Sequence, residues 1–167
     1  MISDPLARGR SLAAFFLRLE PSLWADIDAS GLLEGTDLGA ARGEWSVLAL
    51  HACVRGLVAA GGFGDDNARA LETFHAEVAS AWNADPIVDE SADERHERVA
   101  ERMESYDAIA LAAESRGAET VLERLGTAAA RYVSGTDIAR AGLADMLSEL
   151  HDAIAQGSAE SVREATA

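Results

Sequence analysis

Residues 44–60 read EWSVLALHACVRGLVAA, and this stretch decides the fold of the 167-residue chain. Wound as a helix, it places apolar or small side chains on almost every side. A helix of this kind has to be enclosed by other helices, so the stretch predicts the centre of a bundle. The sequence predicts an all-α, single-domain, up-and-down bundle of five or six helices around this central apolar helix.

The segments on either side carry helix starts and one-sided apolar stripes. Asp4 before Pro5 is typical of a helix start, and Ser91 with Glu94 three residues later has the spacing of a capping box. We expect Pro21 to end the first helix and to start a short second piece. Apolar residues at 4-3-4 spacing form a short heptad-like seam in the last helix, at Leu143, Leu147, Leu150 and Ile154.

The length and composition fit one helical domain. Alanine, the best helix former, occurs 35 times, and no period-2 strand pattern bounded by turn residues is present. We expect residues 1–156 to form the helical bundle domain. The chain beyond Gln156 consists of Gly, Ser, Ala and charged residues, so we expect residues 157–167 to be a frayed C-terminal tail.

The charge of the chain excludes several partners. All 14 basic residues are Arg, against 29 Asp and Glu, for a net charge of -15. Such a protein repels phosphate backbones and anionic lipid headgroups, so we expect no nucleic-acid partner and no membrane. The absence of Lys excludes Schiff-base chemistry and a phosphate-binding P-loop.

Cysteine usage and hydropathy point to a cytoplasmic protein. A single cysteine, Cys53, excludes an intramolecular disulfide and any cysteine-based zinc site, and it reads as a small apolar core residue. The longest apolar run, residues 47–60, is interrupted by His51 and Arg55 and is too short to cross a bilayer. No signal-peptide pattern is present at the N-terminus.

The central helix also carries the most informative polar set. Glu44, His51 and Arg55 lie 7 and 4 residues apart, so they project within a narrow sector of the helix. They predict a ligand-binding wall, with Arg55 as anion anchor and His51 as acid, base or ligand. Alternatively, they form a solvent-facing stripe, or Arg55 makes a structural ion pair. Asp107 falls on the inner side of its own helix, where we expect it to pair with an Arg from a neighbour.

A weaker pattern suggests a metal. Ferritin-like bundles bind two metal ions through Glu-x-x-His pairs, and Glu72 with His75 has that spacing. Asp93 with His96 is a degenerate version, but Asp93 falls in the capping turn. His75 lies on an apolar stripe, where a single His is more often a core residue. Glu72 and His75 are therefore the candidate metal ligands, and we expect no cofactor.

Three functions stay open at this point. The leading interpretation is a non-enzymatic, cytoplasmic protein-interaction or regulatory module, because no catalytic motif is present and the seam in the last helix offers a homodimer surface. The first alternative is a small-ligand or metal-binding bundle that uses Glu44, His51 and Arg55. The second is an acidic inhibitor that mimics nucleic acid. A cavity that touches Arg55 and His51 would favour the small-ligand bundle, and a flat apolar patch would favour the interaction module.

Overall fold

The computed structural model describes residues 4–113 and 118–164. Within these residues the chain forms six α-helices and no strand, which confirms the predicted all-α bundle. None of the described helices combines the length and the apolar character that a membrane span requires. The helices are α1 (Pro5–Ala29), α2 (Leu38–Gly61), α3 (Asp65–Ala84), α4 (Ala92–Ala113), α5 (Ala118–Ser134) and α6 (Leu143–Glu164).

The predicted central helix, α2, packs against each of the five other helices. Its largest side chain, Trp45, is fully buried and donates its indole N–H to the carbonyl of Glu20 on α1 at 3.3 Å. Leu48 and Cys53 on the same helix are also fully buried. Residues 43–53 are buried on every side, as expected of a stretch in which almost every face is apolar.

α2 and α6 make the most extensive contact between two described helices and run in the same direction. His51 lies beside His151, and about one and a half to two turns further on Gly56 lies beside Ser158. A Cβ atom on Gly56 would lie 2.5 Å from the Cβ of Ser158, so only glycine allows this approach. The close packing holds the two histidines against each other.

The predicted helix starts are confirmed by hydrogen bonds. The Asp4 carboxylate accepts from the Leu6 N–H at 3.0 Å at the beginning of α1. Before α4, the Ser91 N–H donates to the Glu94 carboxylate at 2.8 Å, and the Glu94 N–H donates back to the Ser91 hydroxyl at 3.2 Å. This reciprocal pair is a capping box.

The predicted helix break at Pro21 is wrong, because α1 continues through it to Ala29. Proline inside a helix removes one backbone hydrogen bond. Here Phe16 before the proline and Ile27 after it are both buried in the same core. Packing on both sides of the proline therefore keeps the helix continuous.

The predicted frayed tail is also wrong where the structure describes it, because α6 continues to Glu164. Ser158, Ala159 and Val162 are buried in this last part of the helix. Small residues that looked like a tail in the sequence are instead the means of close packing. A Cβ on Gly157, for example, would lie 3.0 Å from the ring of Phe15 on α1.

Candidate functional site

Three side chains from three helices form a hydrogen-bonded chain in the interior. The Nδ1 atom of His51 on α2 lies 3.0 Å from the Nε2 atom of His151 on α6. The Nε2 atom of His51 lies 3.2 Å from the Oδ1 atom of Asp107 on α4. Both imidazoles are buried, whereas the Asp107 side chain is 62% exposed. The three hydrogen-bonded side chains therefore lead from the solvent, at Asp107, into the centre of the bundle, at His51 and His151.

Burial keeps both imidazoles neutral near pH 7. It lowers the pKa of His51, although the hydrogen bond and the charge of Asp107 partly oppose it. Burial, followed by electrostatic interactions with His51 and Arg55, lowers the pKa of His151 to about 3. The hydrogen bond from His51 lowers the pKa of Asp107, so this residue is a carboxylate. The hydrogen-bonded set thus consists of one negatively charged carboxylate, Asp107, and two neutral rings, His51 and His151.

The partner of Asp107 differs from the one the sequence predicted. Asp107 hydrogen-bonds to His51 on the central helix rather than to an arginine on a neighbouring helix. The parallel alignment of α4 with α2, which also pairs Arg102 with Glu44, brings Asp107 level with His51. Sequence reasoning on one helix could not supply this register.

His151, the innermost of the three hydrogen-bonded side chains, lines a cleft between α2, α5 and α6. Its volume is about 570 Å³. His151 lines it, and the Nδ1 atom of this ring is buried without a hydrogen-bond partner in the described part of the chain. The aliphatic part of the wall consists of Ala59, Val121, Leu122, Ala155 and Ala159, and the charged part of Arg55, Asp152, Glu160 and Arg163.

Arg55 lines the same cleft and is exposed. Among the described residues it forms no hydrogen bond and no ion pair, so the predicted alternative of a structural ion pair at Arg55 is not observed there. The charge of Arg55 nevertheless affects His151. Its contribution to the lowered pKa of that ring comes after those of burial and of His51. Arg55 thus lines the cleft directly, and His51 is connected to the cleft through His151.

Glu44, the third member of the predicted wall, belongs to a different set of contacts. Its carboxylate accepts two hydrogen bonds from the Arg102 guanidinium on α4, at 2.9 and 3.2 Å. Arg102 in turn lies over the ring of Tyr132 on α5, 4.0 Å from its centroid. Glu44 is therefore engaged in a structural ion pair and does not line the cleft of Arg55 and His151.

Among the described residues, no further ligand joins the two candidate metal ligands, Glu72 and His75. Glu72 is exposed, and His75 is half-buried with its Nε2 atom unpartnered in the described residues. Burial lowers the pKa of His75. A second cleft, of about 430 Å³, is lined by His75 together with the exposed Asp93 and His96. Within residues 4–113 and 118–164, however, no group of three or more His, Cys, Asp or Glu is placed to hold a metal ion.

His151 is the functional candidate that the sequence did not single out. It stands between Leu147 and Ile154 on the apolar seam of α6, and a polar ring in that position is a signal of a buried hydrogen bond. Cys53, in contrast, is the core residue that we predicted, since it is fully buried and burial raises the pKa of its thiol to about 12.

Comparison with known proteins adds no family to this description. No family model matches the chain. Curated proteins and solved structures likewise give no significant match. The chemistry of the cleft therefore has to be argued from its own residues.

Proposed function

We propose that this protein binds a small organic acid in the cleft between α2, α5 and α6. The observation that carries the proposal is Arg55, an arginine without an ion pair in the described residues, at a cleft that is also lined by His151, whose Nδ1 atom is buried without a partner in those residues. Of the alternatives that the sequence left open, the small-ligand bundle was expected to have a cavity that touches Arg55 and His51; the cleft is lined by Arg55 and by His151, the hydrogen-bond partner of His51, which supports this alternative.

The surroundings of Arg55 make it a specific place for an anion. The protein has a net charge of -15, so carboxylates are abundant. Arg42, Arg98 and Arg102 each use one, in bonds to Glu20, Glu90 and Glu44. Arg55 forms no such bond within the described residues, so its guanidinium can receive the two oxygens of a ligand carboxylate in a bidentate pair.

The size and lining of the cleft restrict the acid further. A volume of about 570 Å³ is within the range of small-molecule sites. The five aliphatic residues of the wall favour a ligand with an apolar body, such as a ring. Asp152 and Glu160 balance the charges of Arg55 and Arg163, so the cleft favours a single negative charge over a polyanion.

The interaction module and the nucleic-acid mimic stay predictions of the sequence. The seam that suggested a homodimer has another use, since Leu143, Leu147 and Ile154 are buried within the chain itself, in a helix that packs on α2 and α5. A homodimer would therefore need a different surface. The cleft gives the small-ligand proposal the more specific support.

Calorimetric titration tests the proposal with two aromatic hydroxy acids, mandelate and 4-hydroxyphenylacetate, which hold the hydroxyl at different distances from the carboxylate. We expect at least one acid to bind more tightly than its uncharged amide. R55Q should weaken that acid about 10- to 100-fold, because a hydrogen bond to a charged group is lost. R10Q removes an exposed arginine on α1, which pairs with Glu77 of α3, and should leave binding unchanged. The proposal is wrong if both acids bind no better than their amides, or if R10Q weakens binding as much as R55Q.

A further inference from the structure

The chain of Asp107, His51 and His151 allows one arrangement of its protons. An ionised carboxylate only accepts hydrogen bonds, so the His51 Nε2 atom must carry the proton that it shares with Asp107. A neutral imidazole has a single N–H, which leaves the His51 Nδ1 atom as an acceptor. The Nε2 atom of His151, 3.0 Å away, must then be the donor of the second bond.

The remaining nitrogen of His151 is consequently a bare acceptor. Its Nδ1 atom carries a lone pair, is buried, and has no donor opposite it among the described residues. A buried acceptor left without a partner is costly, and native structures nearly always satisfy such groups. Because the His151 side chain also lines the cleft, a molecule bound there is the candidate for the missing donor.

We propose that Asp107, acting through His51, fixes the tautomer of His151 so that the cleft selects an acid that also carries a hydroxyl group. This inference rests on the small-acid cleft proposed above. The ligand carboxylate pairs with Arg55, and the ligand hydroxyl donates its hydrogen bond to the Nδ1 atom of His151. Asp107 is a positioning residue in this arrangement, since it touches His51 rather than the ligand.

A hydroxyl suits this position better than an ammonium group. The fully buried ring of His151 lies where burial, together with the nearby charge of Arg55, disfavours a positive charge. A ligand ammonium would meet the same burial and the same repulsion. A neutral hydroxyl avoids both and still supplies the donor.

Methyl ethers of the two test acids separate this inference from the proposal on which it rests. The ethers keep the carboxylate but lose the donor, so we expect the acid that binds to lose about tenfold in affinity or more on methylation. A ring-methylated form of the same hydroxy acid controls for size and should bind within about threefold of its parent. If the ethers bind as well as the hydroxy acids while both still bind better than the amides, the hydroxyl inference is wrong and the acid cleft stands.

Nitrogen-15 NMR of the histidine rings tests the role of Asp107 directly. In the unliganded wild type at pH 7 we expect His51 and His151 to be neutral and protonated at Nε2. Asparagine at position 107 can donate a hydrogen bond to His51 and so reverse the direction of both hydrogen bonds between the three side chains. The corresponding change has this effect on the histidine tautomer of a serine-protease triad. D107N should therefore raise the Nδ1-protonated fraction of His151 and reduce the preference for the hydroxy acid over its ether. Protonation of His151 at Nδ1 in the wild type, or an unchanged tautomer and preference in D107N, would overturn the inference.

Discussion

Acidification should destabilise this protein through its two buried histidines. The pKa of His51 is lowered by burial, and that of His151 is lowered by burial to about 3. In the unfolded chain both rings bind a proton near pH 6.5. Below that pH the unfolded state binds more protons than the folded state, so the free energy of unfolding falls as the pH falls. The contribution of the two rings to stability is complete above pH 6.5 and is lost toward the folded pKa.

The size of the effect follows from the distance between the test pH and the unfolded pKa. pH 5 lies about 1.5 units below the unfolded pKa of histidine. Each ring that stays neutral in the folded state therefore lowers the free energy of unfolding at pH 5 by about 2 kcal/mol. His151, with a folded pKa of about 3, therefore lowers the free energy of unfolding by about 2 kcal/mol between pH 7.5 and pH 5, and the lowered pKa of His51 acts in the same direction. Protonation of surface acids acts in the opposite direction because it relieves the repulsion of a net charge of -15. Variants are needed to separate the two effects.

Urea unfolding at pH 7.5, 6 and 5, followed by circular dichroism, measures the effect. H151Q removes one of the two buried rings, and its stability should fall with pH by about 2 kcal/mol less than that of the wild type. H96Q removes an exposed histidine on α4 and should keep the wild-type dependence. Equal pH dependence in wild type, H151Q and H96Q would refute the reasoning, whatever the absolute stability of each.

Three further predictions concern packing and can be checked by the same urea unfolding. L50A should cost about 2–4 kcal/mol through a cavity at a residue that is 2% exposed, and E97A on the exposed face at most about 0.5 kcal/mol; the reverse order would contradict the assignment of faces. G56A should cost about 1–3 kcal/mol by forcing α2 away from α6, whereas G64A, with open space around it, should cost less than about 1 kcal/mol; equal costs would mean that the helices can separate freely. R102M should cost about 2 kcal/mol by leaving a largely buried carboxylate unpaired, and no change would show that the pair is not structural.

The fold could be predicted because its decisive information is local. The apolar character of residues 44–60 on every side requires a surrounding bundle, and Ser91 with Glu94 fixes the start of α4 within a single turn. Pro21 and the tail after Gln156 were misjudged for a different reason. Their structure depends on packing against other helices, which outweighs the local preference of proline and of small residues.

The site could be predicted only in part. Of the residues that the helical spacing selected, Arg55 lines the cleft and His51 contacts the cleft residue His151, but an angular sector does not tell which neighbour a side chain meets. Glu44 lies in the same sector but about 10 Å from His51 along the helix axis. It therefore pairs with Arg102 and does not line the cleft. His151 and Asp107 lie 100 and 56 positions from His51 in the chain, and only the register of α6 and α4 on α2 brings them together.

The central claim is that a small hydroxy acid binds beside His151. Nitrogen-15 NMR of the histidine rings during a titration with mandelate and with 4-hydroxyphenylacetate tests it most directly. At least one acid should shift the Nδ1 resonance of His151 to saturation, because that nitrogen gains a donor, while the exposed His96 on α4 should not respond. Binding of an acid without any change at His151, or with a change at His96 alone, would contradict the account.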